Sequence, residues 1–67
     1  MLRVWVNGEV IETTNARTIT DLVSELRLTP STVLIELNGN ALVRSDWPLS
    51  NLASGDRIEI LRVSAGG

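Results

Sequence analysis

The residues of this chain that suggest chemistry are few, and they sit at its end: Val63-Ser64-Ala65-Gly66-Gly67. Gly66 and Gly67 carry no Cβ, so the backbone there is slim and conformationally free. Read with Gly67 as the last residue, such a segment threads a narrow channel and presents one group at its tip, the α-carboxylate of Gly67. A carboxylate is a poor electrophile until one of its oxygens becomes part of a leaving group. The chemistry expected is therefore activation of that carboxylate by another protein. Glycine is also common at loose chain ends, so the expectation depends on what the upstream residues build.

Those residues supply little chemistry of their own. The 67-residue chain contains no Cys, which excludes disulfides, thiolate metal sites and a cysteine nucleophile. It contains no His, the usual acid–base group near neutrality and the commonest transition-metal ligand. All six basic residues are arginines, Arg3, Arg17, Arg27, Arg44, Arg57 and Arg62. There is no Lys and hence no GxxxxGK[ST] phosphate loop. No pair of carboxylates has a spacing that argues for acid–base work. We expect no catalytic residue, no metal site and no cofactor of the chain's own. If the protein handles sulfur, the sulfur is not on a side chain. An activated C-terminal carbonyl also finds no ε-amine within the chain to acylate.

Charge and size narrow the setting. The formal net charge of −2 argues against nucleic acid and against an anionic membrane surface, both of which call for a basic patch. No apolar run is long enough to span a bilayer, and the start shows no signal-peptide pattern. The expected compartment is the cytosol. A domain of this size stands alone but cannot enclose a large cavity for both substrate and cofactor.

Leu2 to Val6 reads with the period of a strand, with Leu2, Val4 and Val6 on one face and Arg3 and Trp5 on the other. Asn7-Gly8 follows, a strong signal for a type I′ hairpin. Glu9 to Thr13 returns, with Ile11 as its expected core residue, and Thr14 to Arg17 is a polar connection. Thr18-x-x-Asp21 is close to a capping box. Ile19, Leu22, Val23 and Leu26 then form one apolar helical stripe. Pro30 disfavours helical geometry at Thr29, so the helix is expected to end near Leu28. Val33 to Leu37 is a third strand with Val33, Ile35 and Leu37 inward. Asn38-Gly39 repeats the hairpin signal, and Ala41 to Val43 is a short fourth strand. Arg44 to Ser54 is a loop with a turn expected at Leu49 to Leu52, in which Trp47 plugs the core. Ser54-Gly55-Asp56 is a turn that Asp56 serves. Arg57 to Val63 is the last strand, with Ile58 and Ile60 inward.

The order hairpin, helix, hairpin, strand predicts an α+β fold, with a mixed sheet of four to five strands and one main helix packed across one face. The last strand is expected beside the first, in the sheet's interior. Residues 1–63 form the domain and residues 64–67 a flexible Gly-Gly tail, which reaches roughly 13 Å when extended. Trp5, Leu34, Leu61 and Val63 fall on the outward parity of their strands. They are expected to form an exposed apolar patch near the tail, of the kind that marks partner surfaces.

Asn7-Gly8-Glu9, Thr18-Ile19-Thr20-Asp21-Leu22 and Glu36-Leu37-Asn38-Gly39 together resemble the ThiS-type sulfur carriers. So do Val43-Arg44-Ser45-Asp46-Trp47, Leu52-x-x-Gly55-Asp56-x-Ile58-Glu59-Ile60 and the closing Gly66-Gly67. The resemblance runs through essentially the whole chain, in order and spacing, and it implies the ubiquitin-like β-grasp fold. It further implies that a ThiF-like adenylating enzyme activates the terminal carboxylate with ATP, the ATP and metal belonging to that partner. A sulfur donor such as a cysteine desulfurase persulfide then displaces AMP and leaves a thiocarboxylate. The sulfur passes to a ThiG-like thiazole synthase in thiamine biosynthesis. Carried onto this sequence, Gly67 bears the sulfur, and Gly66 and Ala65 thread the partner active sites.

Trp5 stands where relatives usually have a smaller aliphatic residue. The tail lacks the Phe-Pro-Pro run typical of the molybdopterin-synthase small subunit, MoaD, and this favours thiamine over molybdopterin. A ubiquitin-like modifier or interaction module remains the alternative. It would form an amide on another protein's lysine or no covalent bond at all.

Overall fold

Both Asn-Gly pairs fold as their chemistry dictates. Asn7 and Gly8 take φ of 50° and 84°, and Asn38 and Gly39 take 51° and 85°. These left-handed values match the type I′ requirement for positive φ at both central residues, which glycine meets freely and asparagine better than most. The computed structural model describes residues 1–63. Its strands are β1 (Leu2–Val6), β2 (Glu9–Thr13), β3 (Val33–Leu37), β4 (Asn40–Leu42) and β5 (Arg57–Arg62), with one α-helix, α1 (Ile19–Glu25). Two 3₁₀ segments, Pro30–Thr32 and Arg44–Leu49, complete the element order.

The sheet order is β2-β1-β5-β3-β4, so the last strand lies at the centre. β5 runs parallel to β1, pairing Trp5 with Arg57 and Val6 with Ile58. It runs antiparallel to β3, pairing Leu34 with Leu61 and Val33 with Arg62. Helix α1 covers one face. Ile19, Leu22 and Val23 are buried there among Val4, Val6, Val33, Ile35, Ile58 and Ile60. The mixed five-stranded sheet with one α-helix across it is the arrangement anticipated from the element order, and it is the β-grasp fold that the resemblance implied.

The capping box is complete. Asp21 N–H donates to Thr18 Oγ1 at 3.2 Å, and Thr18 N–H donates to Asp21 Oδ2 at 3.1 Å. Arg17 N–H adds a third bond to the same carboxylate oxygen at 2.9 Å. The Arg17 and then the Thr18 backbone bonds hold the Asp21 carboxyl below its ordinary range, because they favour the charged form.

The helix stops earlier than expected, at Glu25 with Leu26 as its C-cap. The stop signal is Arg27 at φ 59° rather than Pro30. Arg27 N–H bonds Ser24 O at 3.0 Å and Leu28 N–H bonds Val23 O at 3.1 Å, the bond pair of a Schellman motif. A non-glycine residue holds the left-handed position here, and Leu28 is free to pack on the core.

Three smaller expectations are refined or corrected. Ile11 packs on the core as expected but stays half-buried, and Thr13 is the fully buried residue of β2. Its hydroxyl donates to Glu25 Oε2 at 2.7 Å and accepts from Ala16 N–H at 3.1 Å, so the end of α1 closes over that end of the edge strand. β4 sits one residue earlier than expected, at Asn40–Leu42. The helical turn of the following loop is Arg44–Leu49 rather than Leu49 to Leu52. That turn drives Trp47 into the core at 3% exposure, where its Nε1–H donates to Leu42 O at 3.3 Å.

Candidate functional site

The Gly66-Gly67 carboxylate expected to be the working group, together with Ser64 and Ala65, lies outside the described residues. What is described is the element that leads to it. β5 is flanked on both sides. On one side β3 pairs with it through Arg62, and Val63 N–H still bonds Thr32 O at 2.7 Å. On the other side β1 ends at Val6, and Asn7 takes over. Asn7 N–H bonds Ile58 O at 2.9 Å. Its side chain accepts from Ile60 N–H at 2.7 Å and donates to Ile60 O at 3.2 Å.

The turn before β5 is braced by the second hairpin. Asn38 N–H bonds Arg57 O at 2.7 Å, Asn38 Oδ1 accepts from Arg57 N–H at 2.9 Å, and Asn38 Nδ2 donates to Asp56 Oδ1 at 3.1 Å. Asp56 Oδ2 accepts from Ala53 N–H at 2.8 Å. Asp56 thus serves the turn, as its position implied.

Trp5, Leu34, Leu61 and Val63 are all exposed, but the structure brings only three of them together. Leu34 and Leu61 are direct cross-strand partners, and Val63 follows Leu61 on the same face. Trp5 stands opposite Arg57, four residues before Leu61. At a rise of about 3.3 Å per residue it lies about 13 Å away along β5. Its apolar neighbour is Val10, its partner on β2 and itself exposed. Glu36 and Glu59, paired across β3 and β5, lie next to the Leu34–Leu61 pair.

Val43 joins the cluster and had no place in the sequence reading of it. Ile35 pairs with Leu42, so continuing the register sets Val43 beside Leu34. With Leu34, Leu61, Ala41, Arg44 and Trp47 it lines a groove of about 390 Å³. The Arg44 guanidinium lies 5.7 Å from the centroid of the Trp47 ring, a cation–π contact at the groove's rim. The available signal was the outward parity of Val43, once the hairpin register is known.

No set of three or more His, Cys, Asp or Glu side chains converges as a metal site among the described residues. No helix there is long and apolar enough to cross a membrane. What the described residues offer is an exposed apolar face beside a central strand that leads into the C-terminal residues.

The same ordered set of elements recurs in relatives. The ThiS family model matches residues 4–67, a span that includes the closing Gly66-Gly67. The chain belongs to the ThiS family. A crystal structure of the thiamine biosynthesis protein ThiS from Geobacter metallireducens superposes with a TM-score of 0.82 at 30% identity, covering 98% of this chain and 100% of that one. A solution NMR structure of a thiamine biosynthesis protein from the same organism gives 0.78, again at 30% identity, over 98% of this chain and 88% of that one. An uncharacterised protein, ycf40, of Trieres chinensis is 27% identical over 63 residues, 94% of this chain and 86% of the relative. As a ThiS-family chain this protein is a small sulfur carrier rather than an enzyme.

Proposed function

We propose that this chain is the sulfur carrier of thiazole formation in thiamine biosynthesis, with Gly67 as the residue that bears the sulfur. The observation that carries the reading is the Gly66-Gly67 end, four residues beyond the central strand β5, in a chain that matches the ThiS family through residue 67. A ThiF-like partner supplies ATP, metal and catalytic side chains. The Gly67 carboxylate attacks the α-phosphorus of ATP and pyrophosphate leaves, giving an acyl adenylate. A sulfide sulfur then attacks the acyl carbon, and AMP leaves with the bonding pair. A cysteine desulfurase persulfide delivers the sulfur instead as an acyl disulfide, which a thiol reduces to the thiocarboxylate. A ThiG-like thiazole synthase receives the sulfur. The carrier's own contribution is position: Leu34, Leu61 and Val63 dock the partner, β5 fixes where the tail starts, and Ala65, Gly66 and Gly67 enter the active site. The exchange takes place in the cytosol, where ATP is at hand.

The missing cysteine supplies the test. The chain, ATP, a sulfide source and the activating enzyme are incubated, treated with iodoacetamide and weighed intact. With no side-chain thiol in the sequence, a thiocarboxylate is the prime site of alkylation. Peptide fragmentation is expected to place the label on Gly67. A variant lacking Gly67, or carrying one residue after it, is expected to keep its fold and take no label. Labelling of the extended variant to the wild-type level would overturn the reading. Conjugates to lysines of other proteins would replace it with the modifier reading.

A further inference from the structure

The handover from β1 to Asn7 on one side of β5 leaves a single side chain where a strand would otherwise be. β1 and β5 are hydrogen-bonded through Trp5 N–H to Asp56 O at 2.8 Å and Asn7 N–H to Ile58 O at 2.9 Å. Backbone pairing on this side then stops, because the chain turns at Asn7-Gly8. The next peptide group of β5 facing this way is that of Ile60, and both its N–H and its C=O are bonded by the Asn7 amide. The side chain therefore imitates one more residue of a parallel strand.

Asparagine is suited to this place on two counts. It tolerates the φ of 50° that the turn requires, and its amide offers one donor and one acceptor at the required reach. Aspartate keeps the acceptor and loses the donor. Glycine keeps the turn and loses both.

We propose that Asn7 is a positioning residue for the C-terminal tail: its amide holds β5 on the side that β1 has left and so sets the point from which the tail departs. The proposal rests on the carrier reading above. Without the Asn7 bonds, β5 from Glu59 onward is held by β3 alone, and two-stranded ribbons twist more than strands flanked on both sides. Ile60 to Val63 spans about 10 Å, so an added twist of roughly 10° displaces Val63 by about 2 Å. With the partner docked on Leu34 and Leu61, that shift changes the span from Val63 to the partner's reacting group and lowers the fraction of docked complexes aligned for reaction. The docking cluster loses little, because Leu34 and Leu61 remain paired through β3. The expected signature is a fall in kcat with KM preserved.

The test compares wild type, N7G and N7D in two measurements: amide hydrogen exchange by NMR, and the kinetics of thiocarboxylate formation with the activating enzyme. In N7G the Ile60 amide is expected to exchange at least tenfold faster, while Leu22 and Val23 in the helix keep their protection. Its kcat is expected to fall about tenfold with KM within twofold of wild type. N7D, which retains the acceptor for Ile60 N–H, is expected to recover part of both. Faster Ile60 exchange with an unchanged kcat would overturn the proposal, as would a loss confined to KM. If N7G loses helix protection too, N7D decides: a protected helix with wild-type kcat also overturns it. A wild-type chain that takes no label removes the carrier reading itself, and the positioning role with it, whatever the exchange data show.

Discussion

Truncating the Leu34–Leu61 pair is expected to weaken the encounter with the activating enzyme without touching the fold. The two side chains are 56% and 54% exposed, so roughly half of each remains to be covered on docking. Full burial of a leucine is worth about 1.5–3 kcal/mol, which leaves about 1 kcal/mol for each at the interface. For L34A/L61A the loss is about 2 kcal/mol, or about 30-fold in affinity at 1.36 kcal/mol per tenfold. The assay is thiocarboxylate formation over a range of carrier concentrations, with circular dichroism melting as the fold control. KM is expected to rise about 30-fold, with kcat unchanged and the melting temperature little changed, because both side chains point away from the core. W5A is the internal comparison. Trp5 lies about 13 Å along the sheet from Leu61, and its KM is expected to shift by no more than about threefold. A double variant with unchanged KM, or a W5A defect as large as that of the pair, would refute the assignment of the docking face.

Two further outcomes follow from the fold. W47A removes a ring that is 3% exposed and is expected to cost about 3–5 kcal/mol. That is most of the stability available to a domain of this size, and it is measurable as collapse of the urea midpoint. Asp21 has its carboxyl held below its ordinary range by the Arg17 and Thr18 amides. Its contribution is therefore present above the usual carboxylate pKa, about 3.9, and is lost as pH falls through the lower folded value. D21N is expected to show a flatter decline of stability below about pH 4 than wild type, read by urea titration at pH 3 to 6.

Much of the frame was legible because it is local. Asn7-Gly8 and Asn38-Gly39 fix two hairpins through a backbone requirement that few residue pairs satisfy. Thr18 and Asp21 mark the helix start with side chains that find the backbone within one turn. The central place of β5 followed from the element order. What was not legible depends on partners far along the chain. Arg27 gives no sign of adopting a left-handed conformation, so Pro30 alone sets the expected helix end three residues late. Thr13 is buried where Glu25 of the helix and the Ala16 amide meet its hydroxyl.

Strand parity correctly gave the outward face of Trp5, Leu34, Leu61 and Val63. Parity says nothing of how far one strand is slid along its neighbour, and the β1–β5 register separates Trp5 from the rest. The second use of Asn7, as a substitute strand, was hidden behind its first, as a turn residue.

The central placement of β5 also has a mechanical meaning. A pull on the C-terminal end, such as an unfolding machine exerts on an engaged tail, runs along the axis of a strand bonded on both flanks. The hydrogen bonds to β1, to β3 and to Asn7 then lie across the direction of force and share the load together, where a hairpin peeled from its end would release them one at a time. The strand that leads to the C-terminal residues is thus anchored where the sheet resists traction best.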